Sequence, residues 1–167
     1  MNERMKTTET VKAPRFVRRG PMVLSGFRER FTEATMSGIP GLWARFAPLL
    51  GAVPGEIEGA AYGVCVRSCG SEPGFEYMAA VEVDGAAPAG EFDRLEVPAL
   101  EYAVFEHAGH VSKLVETIEG IQREWMPRLR RALAENDEVP AFFEWYGPKF
   151  DPVRGEGDME VWVPVGR

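Results

Sequence analysis

The sequence predicts an α+β domain in which two similar halves share one antiparallel sheet. The order strand, helix, strand, strand is predicted for about residues 12–84 and again for 95–167. In each half, one segment has the apolar spacing of a helix, and several β-rich segments lie between glycines and prolines. Neither half alone would bury enough apolar surface. We therefore expect one curved sheet with both helices on one face and a ligand pocket on the opposite, concave face.

Both helices are predicted from apolar residues spaced three and four apart. The first has Pro40 in its first turn and ends at Gly51. In the second, Ser112 is a suitable N-cap, and Pro127 should kink or shorten the helix. The expected apolar faces are Ile39, Trp43, Phe46 and Leu50 in the first helix, and Leu114, Ile118, Ile121, Trp125 and Leu129 in the second.

The strands are predicted from segments rich in Val, Phe and Tyr that end at turn-forming residues. A turn at 71–74 should join two of them into a hairpin, and an Ala/Gly/Pro loop at 84–90 should separate the halves. The predicted strands are 15–24 (broken at Gly20-Pro21), 60–67 and 75–83 in the first half, and 100–107, 142–146 and 159–165 in the second.

Composition and charge exclude several classes of protein. A chain of 167 residues that is 45% hydrophobic suits one domain, 1–167, without a separate DNA-binding domain. No apolar run approaches the ~18 residues needed to cross a membrane, and the polar N-terminus is no signal peptide, so a cytoplasmic protein is expected. A net charge of −7 argues against direct nucleic-acid binding. We expect no cofactor, and a monomer or weak dimer.

Glu144 is the main candidate for a functional residue. It lies within Phe142-Phe143-Glu144-Trp145-Tyr146, and alternation puts its side chain on the same face as Phe142 and Tyr146. A carboxylate among rings is costly without a partner, so a cavity on this face would suit a flat, cationic or polarised molecule. Alternatively, Glu144 lies on a solvated face or pairs with an arginine. The candidate cavity walls are Tyr62, Tyr77, Phe142, Tyr146 and Trp162, with Phe105 and Trp43 as weaker candidates.

Other reactive side chains have simpler interpretations. His107 and His110 lie where a strand turns into a helix, which indicates a capping or loop role rather than a metal site. Glu160 is a second candidate pocket acid, but a solvent-facing residue or a partner for an N-terminal arginine is the better interpretation. Cys65 and Cys69 are expected to be reduced, and two sulfurs alone cannot complete a zinc site.

Eight segments of the chain together indicate a known family. They are IPGLWARF (39–46), YGVC (62–65), YMAAVEV (77–83), YAVFEHAGH (102–110), WMP (125–127), FEWY (143–146), FDP (150–152) and EVWVPV (160–165). In this order and spacing they resemble the GyrI-like small-molecule-binding domain, the effector-binding part of AraC-type and MerR-type bacterial transcription activators.

The resemblance implies two β-α-β-β modules with a pocket between them. It also implies that Glu144 is the central carboxylate of a lipophilic-cation site with Tyr62 and Tyr77 as walls. Three functions are compatible with it. The first is a binding protein for an aromatic or cationic small molecule, for sensing, sequestration or toxin resistance. The second is a hydrolase for a cyclopropane-bearing alkylating agent, with Glu144 activating water. The third is an inhibitor of DNA gyrase.

Overall fold

A computed structural model describes residues 11–66, 74–129 and 139–166, and it has the predicted α+β architecture with one antiparallel sheet. The N-terminal residues 1–10, part of the predicted hairpin turn (67–73, which includes Cys69), and residues 130–138 and 167 lie outside the described residues. The strands are β1 (Arg15–Arg19), β2 (Met22–Phe31), β3 (Glu56–Val66), β4 (Phe75–Val83), β5 (Asp93–Val97), β6 (Leu100–Glu106), β7 (Phe142–Tyr146) and β8 (Met159–Gly166). The helices are α1 (Ile39–Phe46), α2 (Leu114–Glu124) and the short α3 (Met126–Leu129).

The strand order of the sheet is symmetric about its centre. It runs β1-β6-β8-β7-β3-β4-β2-β5, so that β7 and β3 are the central pair. On one side the second half contributes β7, β8 and β6, and on the other the first half contributes β3, β4 and β2 in the matching order. The two modules therefore meet along the β3–β7 pair, which we call the seam.

The two outermost strands are exchanged between the modules. β1 belongs to the first half but pairs with β6 of the second, and β5 opens the second half but pairs with β2 of the first. The sequence predicted one broken strand in place of β1 and β2, and it did not predict β5. The charged residues of Asp93–Val97 hide the strand pattern, and the strand is stabilised by its pairing with β2 and by the burial of Val97 in the core.

The sheet is strongly curled. The two-residue links Gly20-Pro21 and Pro98-Ala99 each join strands that are separated by five other strands in the sheet. In a flat sheet such strands would be about 29 Å apart, whereas a two-residue link spans only about 10 Å. The face on which the ends meet is therefore concave. It is filled by a core to which all eight strands contribute, including Tyr62, Tyr102, Phe143 and Trp162.

Both helices pack on the other face of the sheet. Leu42 and Phe46 of α1 are buried against β2 and β4, and Leu114 and Ile121 of α2 are buried against β6, β7 and β8. Each helix forms its own apolar cluster, and the seam runs between the two clusters. The space over the seam is thus bounded by both modules.

The helix ends differ in detail from the predictions. Leu42 replaces Leu50 on the buried face of α1, because the helix passes into a 3-10 turn at Ala47–Leu49 and leaves Leu50 44% exposed. The N-cap of the turn that leads into α2 is His110 rather than Ser112, since the His110 ring accepts the backbone N–H of Ser112. A break at Trp125, just before Pro127, ends α2 as expected.

Candidate functional site

Glu144 lies at the seam, on the helix face of the sheet. It pairs with Gly63 of β3, and its strand neighbours Phe142 and Tyr146 pack with the α2 cluster. The sequence placed the pocket on the concave face opposite the helices. That face is filled with packed side chains, and the carboxylate is on the other side, between the two helical clusters. The residues that can surround Glu144 therefore come from α1, β4, β7 and the loop after β7.

Two tyrosines donate hydrogen bonds to the same oxygen of Glu144. The Tyr77 hydroxyl lies 2.6 Å from Oε1, and the Tyr146 hydroxyl lies 2.8 Å from it. The indole N–H of Trp43 donates to the Tyr77 oxygen at 2.9 Å. A continuous chain of donors thus runs from α1 through β4 to the carboxylate. Glu144 is fixed by neutral groups of both modules.

Aromatic rings cover this hydrogen-bonded group. The rings of Trp43 and Tyr146 meet edge to face with centroids 5.5 Å apart, and Phe150 lies 4.9 Å from Tyr146. Trp43 also packs against Phe46 within α1. The carboxylate therefore lies beneath π-surfaces, the lining that suits a flat apolar cation.

Gly63 provides the space for the Tyr77–Glu144 contact. A Cβ atom at this position would overlap the Tyr77 hydroxyl and the Glu144 carboxylate. The backbone of Gly63 is extended rather than left-handed, so the requirement concerns space and not conformation. This glycine is a site residue that the sequence analysis did not select, since a glycine within a strand has many possible causes.

Burial raises the pKa of Glu144, and the two tyrosine hydrogen bonds offset part of this effect. Burial and the neighbouring carboxylate raise the pKa values of Tyr77 and Tyr146 well above their ordinary value, so both remain hydroxyl donors. No ion pair between described residues includes Glu144. The site is thus an acid without a cationic partner, and its charge is disfavoured by its surroundings.

Cys65 is the next residue on the same face of β3. Its thiol is free, and burial together with the charge of Glu144 raises its pKa to about 12. The thiolate is the nucleophilic form of cysteine, so this thiol is suited to packing rather than to covalent chemistry.

The predicted wall residues divide into two groups. Tyr77, Tyr146 and Trp43 gather around Glu144, as described above. Tyr62 and Trp162 lie in the concave core on the other face, where Arg19 donates to the Tyr62 hydroxyl at 3.0 Å. The last two, Phe105 and Phe142, are buried in the α2 cluster. Phe150, which the sequence analysis missed as a ring of the site, lies in a loop and was visible only as part of the FDP motif.

The remaining candidates have structural roles. His107 donates from Nε2 to the His110 carbonyl at 2.9 Å, and its Nδ1 lies 2.7 Å from the Thr117 hydroxyl. Glu160 pairs with Arg15 at 3.0 Å and accepts from the Trp162 indole. The described part of the chain contains no cluster of three or more His, Cys, Asp or Glu residues suited to a metal. Nor is any of its helices long and apolar enough to cross a membrane.

Two open surface grooves lie away from Glu144. One, of about 800 Å³, lies between Met22, Val83 and Val97, and the other, of about 310 Å³, lies between Arg19, Tyr62 and Trp145. Both also contact Ile57 and Glu82, so they lie side by side at one end of the curled sheet. Neither groove includes the acid at the seam.

Comparison with known proteins gives the same architecture. The family model of the GyrI-like small molecule binding domain matches residues 12–166. The chain belongs to the GyrI-like family. A curated GyrI-like relative is the transcriptional regulator BrlR of Pseudomonas aeruginosa, which is 30% identical over 140 residues. That match covers 82% of this chain but only 50% of BrlR, so the chain spans about half the length of this relative.

Solved structures share the GyrI-like fold at low sequence identity. The structure of SAV2435 bound to tetraphenylphosphonium has a TM-score of 0.71 at 22% identity, covering 92% of this chain and 94% of that one. A putative transcription regulation protein from Staphylococcus aureus has a TM-score of 0.66 at 22% identity, with coverage of 92% and 98%. The C-terminal domain of EcmrR has a TM-score of 0.60 at 13% identity, with coverage of 95% and 99%. At these identities the similarity establishes the fold alone.

Proposed function

We propose that this GyrI-like domain binds amphipathic, aromatic cations over the seam, with Glu144 as the counter-charge. The observation that carries the proposal is an acid that pairs with no cation among the described residues and is held by two tyrosines beside aromatic rings. A bound cation would supply the charge that the protein leaves out. The ligand's flat apolar part would lie against Trp43, Tyr146 and Phe150.

Electrostatics favour a ligand of this class. A carboxylate surrounded by apolar rings has lost much of its hydration, so a cation beside it interacts more strongly than it would in water. A lipophilic cation loses little hydration when it enters such a site, and its rings gain contacts with the aromatic walls. The ligand named for SAV2435, tetraphenylphosphonium, has this chemistry, with a positive charge surrounded by phenyl groups.

Binding between Trp43 and Tyr146 would separate rings that contact each other in the structure. Trp43 and Tyr146 both belong to the hydrogen-bonded group of Glu144, so a ligand that inserts between their rings would replace the contact between them. Trp43 and Tyr77 come from the first module, whereas Glu144 and Tyr146 come from the second. The ligand would therefore be held by both modules at once.

We also propose a setting for this activity. The curated relative BrlR is a transcriptional regulator, and bacterial transcription takes place in the cytoplasm. A role in sensing or sequestering toxic cations within the cytoplasm agrees with that relationship and with the chemistry of the site.

Replacement of Glu144 by Gln tests the proposal. The amide keeps the shape and one oxygen for the tyrosines but removes the charge, so the affinity for tetraphenylphosphonium should fall more than about tenfold. Isothermal titration calorimetry measures this change. Glu160→Gln is the matched control, because Glu160 is also a strand glutamate that accepts an aromatic side-chain hydrogen bond, but on a different strand and paired with Arg15. Equal affinities of E144Q and the wild type would refute the role of Glu144.

A further inference from the structure

Every side-chain N–H and O–H donor in the described group around Glu144 is already in use, and only the weakly donating S–H of Cys65 lies beside it. The Trp43 N–H is directed to the Tyr77 oxygen, and the Tyr77 and Tyr146 hydroxyls are both directed to Oε1 of Glu144. A neutral tyrosine has one O–H and an indole has one N–H, so none of these residues has a second donor. The raised pKa values of the two tyrosines keep those protons in place.

The two oxygens of Glu144 are not equivalent. Oε1 accepts two hydrogen bonds, whereas Oε2 accepts none from any residue that the structure describes. In the described ranges, the only side-chain nitrogen or oxygen that is fully buried and has no hydrogen-bond partner is Nε of Arg94. Oε2 has no partner and is not such an atom, so it is accessible to solvent. A carboxylate oxygen has two lone-pair sites, so Oε2 is a complete and unused acceptor.

Among the described residues, the site therefore offers acceptors but no free N–H or O–H donor. Oε2 is the charged one of these acceptors, whereas the hydroxyl oxygen of Tyr146 also interacts with the neighbouring Tyr77 hydroxyl. A ligand group that needs to accept a hydrogen bond would find no donor there and would lose its hydration without compensation. A ligand group that donates would find the charged acceptor Oε2.

We infer that the site discriminates among cations by their N–H groups, with Oε2 of Glu144 as the specificity-determining atom. Protonated amines, which donate a hydrogen bond along with their charge, are the preferred ligand class over quaternary ammonium or phosphonium ions of equal size. This inference rests on the proposed function, because it concerns the same carboxylate. The hydrogen bond from the ligand N–H to Oε2 is directional, whereas the attraction between the two charges is not.

The expected preference is large enough to measure. Hydrogen bonds to an ionised acceptor are the stronger class, and the loss of one donor from a cation should weaken binding by at least about tenfold. Apolar packing acts in the opposite direction, since the methyl group of a quaternary ion adds buried surface. A preference for the N–H cation would thus not arise from hydrophobic contact.

The test uses two ligands that differ by one methyl group. They are the (1-naphthylmethyl)dimethylammonium ion, which carries one N–H at neutral pH, and the (1-naphthylmethyl)trimethylammonium ion, which carries none. Calorimetric titration of the wild-type chain should give a dissociation constant at least about tenfold lower for the dimethylammonium ion. Equal affinities, or tighter binding of the trimethylammonium ion, would overturn the inference.

Glu144→Gln provides the second measurement. With the amide oxygen held by the tyrosines, its NH₂ group takes the place of Oε2, which turns an acceptor into a donor. The dimethylammonium ion should then lose more affinity than the trimethylammonium ion. The titration uses ligand concentrations high enough to measure a hundredfold loss of affinity. If E144Q weakens both ions by the same factor, the preference does not come from Oε2 and the inference fails. Glu160→Gln should leave the ratio of the two affinities unchanged.

The two proposals fail in different ways. If both ions bind in the wild type and both depend on Glu144, but with equal affinity, the cation site stands and only the role of Oε2 is refuted. If neither ion, nor tetraphenylphosphonium, responds to E144Q, the proposed function itself is refuted.

Discussion

Glu144 is an acid whose surroundings oppose its charge. Burial raises its pKa, no cation of the described chain is paired with it, and two neutral hydroxyls supply the compensation. Groups with such perturbed titration concentrate at functional sites, because a structure selected for stability alone would pair the charge or replace the residue. A buried acid without a cationic partner among the described residues is therefore what selection for ligand binding, rather than for stability, would produce.

The strand and face of Glu144 could be predicted from the sequence, whereas its hydrogen-bond partners could be predicted only in part. Period-two alternation correctly assigned its face relative to Phe142 and Tyr146. It did not show that Tyr77 and Trp43 reach the carboxylate while Tyr62 does not, because alternation gives the two faces of each strand but not the register between strands.

The raised pKa predicts how cation binding depends on pH. Tetraphenylphosphonium has no titratable group, so a change in its affinity reports the protein. Affinity should be full while Glu144 is ionised and should fall as pH decreases through its raised pKa, with a midpoint above the ordinary glutamate value of about 4.3. Calorimetry over a pH series measures the midpoint. A midpoint at or below the ordinary value would contradict the prediction, and E144Q should show no such titration.

At the level of elements, the site depends on how closely three strands approach one another. Tyr77 of β4 reaches Glu144 of β7 across β3, and Gly63 is the β3 residue between them. The sequence predicted that these strands exist, with exact bounds for β4 and β7. It underestimated β2 and β3. The polar end of β2 is stabilised by pairing with β4, whereas the start of β3 is irregular between Glu56 and Ala61.

Gly63→Ala tests this packing. The added methyl group would force apart Tyr77 and Glu144, so we expect a loss of about 1–3 kcal/mol in the free energy of unfolding, together with weaker binding of tetraphenylphosphonium. Urea denaturation and calorimetry measure the two effects. Gly20→Ala is the matched control, because a Cβ atom at Gly20 has no neighbour within 4 Å. If the two variants behave alike, Gly63 has no spacing role.

At the scale of the whole molecule, Arg19 connects the two ends of the curled sheet. It extends from β1 to the Tyr62 hydroxyl on β3 and pairs with Glu82 on β4, although four strands separate β1 from β4 in the sheet order. The side chains of Arg19 and Glu82 are 28% and 20% exposed, which limits screening by solvent. This long-range pairing could not be predicted from the sequence, because it depends on curvature that no local pattern encodes.

Arg19→Ala should therefore destabilise the domain more than an ordinary surface substitution does. The change leaves the partly buried Glu82 and the Tyr62 hydroxyl without a donor, for which we expect a loss of about 1–2 kcal/mol in the free energy of unfolding. Chemical denaturation measures the loss. Arg18→Ala, a change of an exposed arginine on the same strand, is expected to have little effect. A smaller loss for R19A than for R18A would contradict the role of Arg19.

The exchange of β1 and β5 has a consequence for the origin of this chain. If the polypeptide were divided in the loop before β5, each fragment would keep an outer strand whose hydrogen-bonding edge belongs to the other, so neither would be complete alone. Two copies of one ancestral half would complete each other in this same way. The domain thus has the form that an intertwined dimer of two such halves would take if they were joined into one chain, with the seam as the boundary between them.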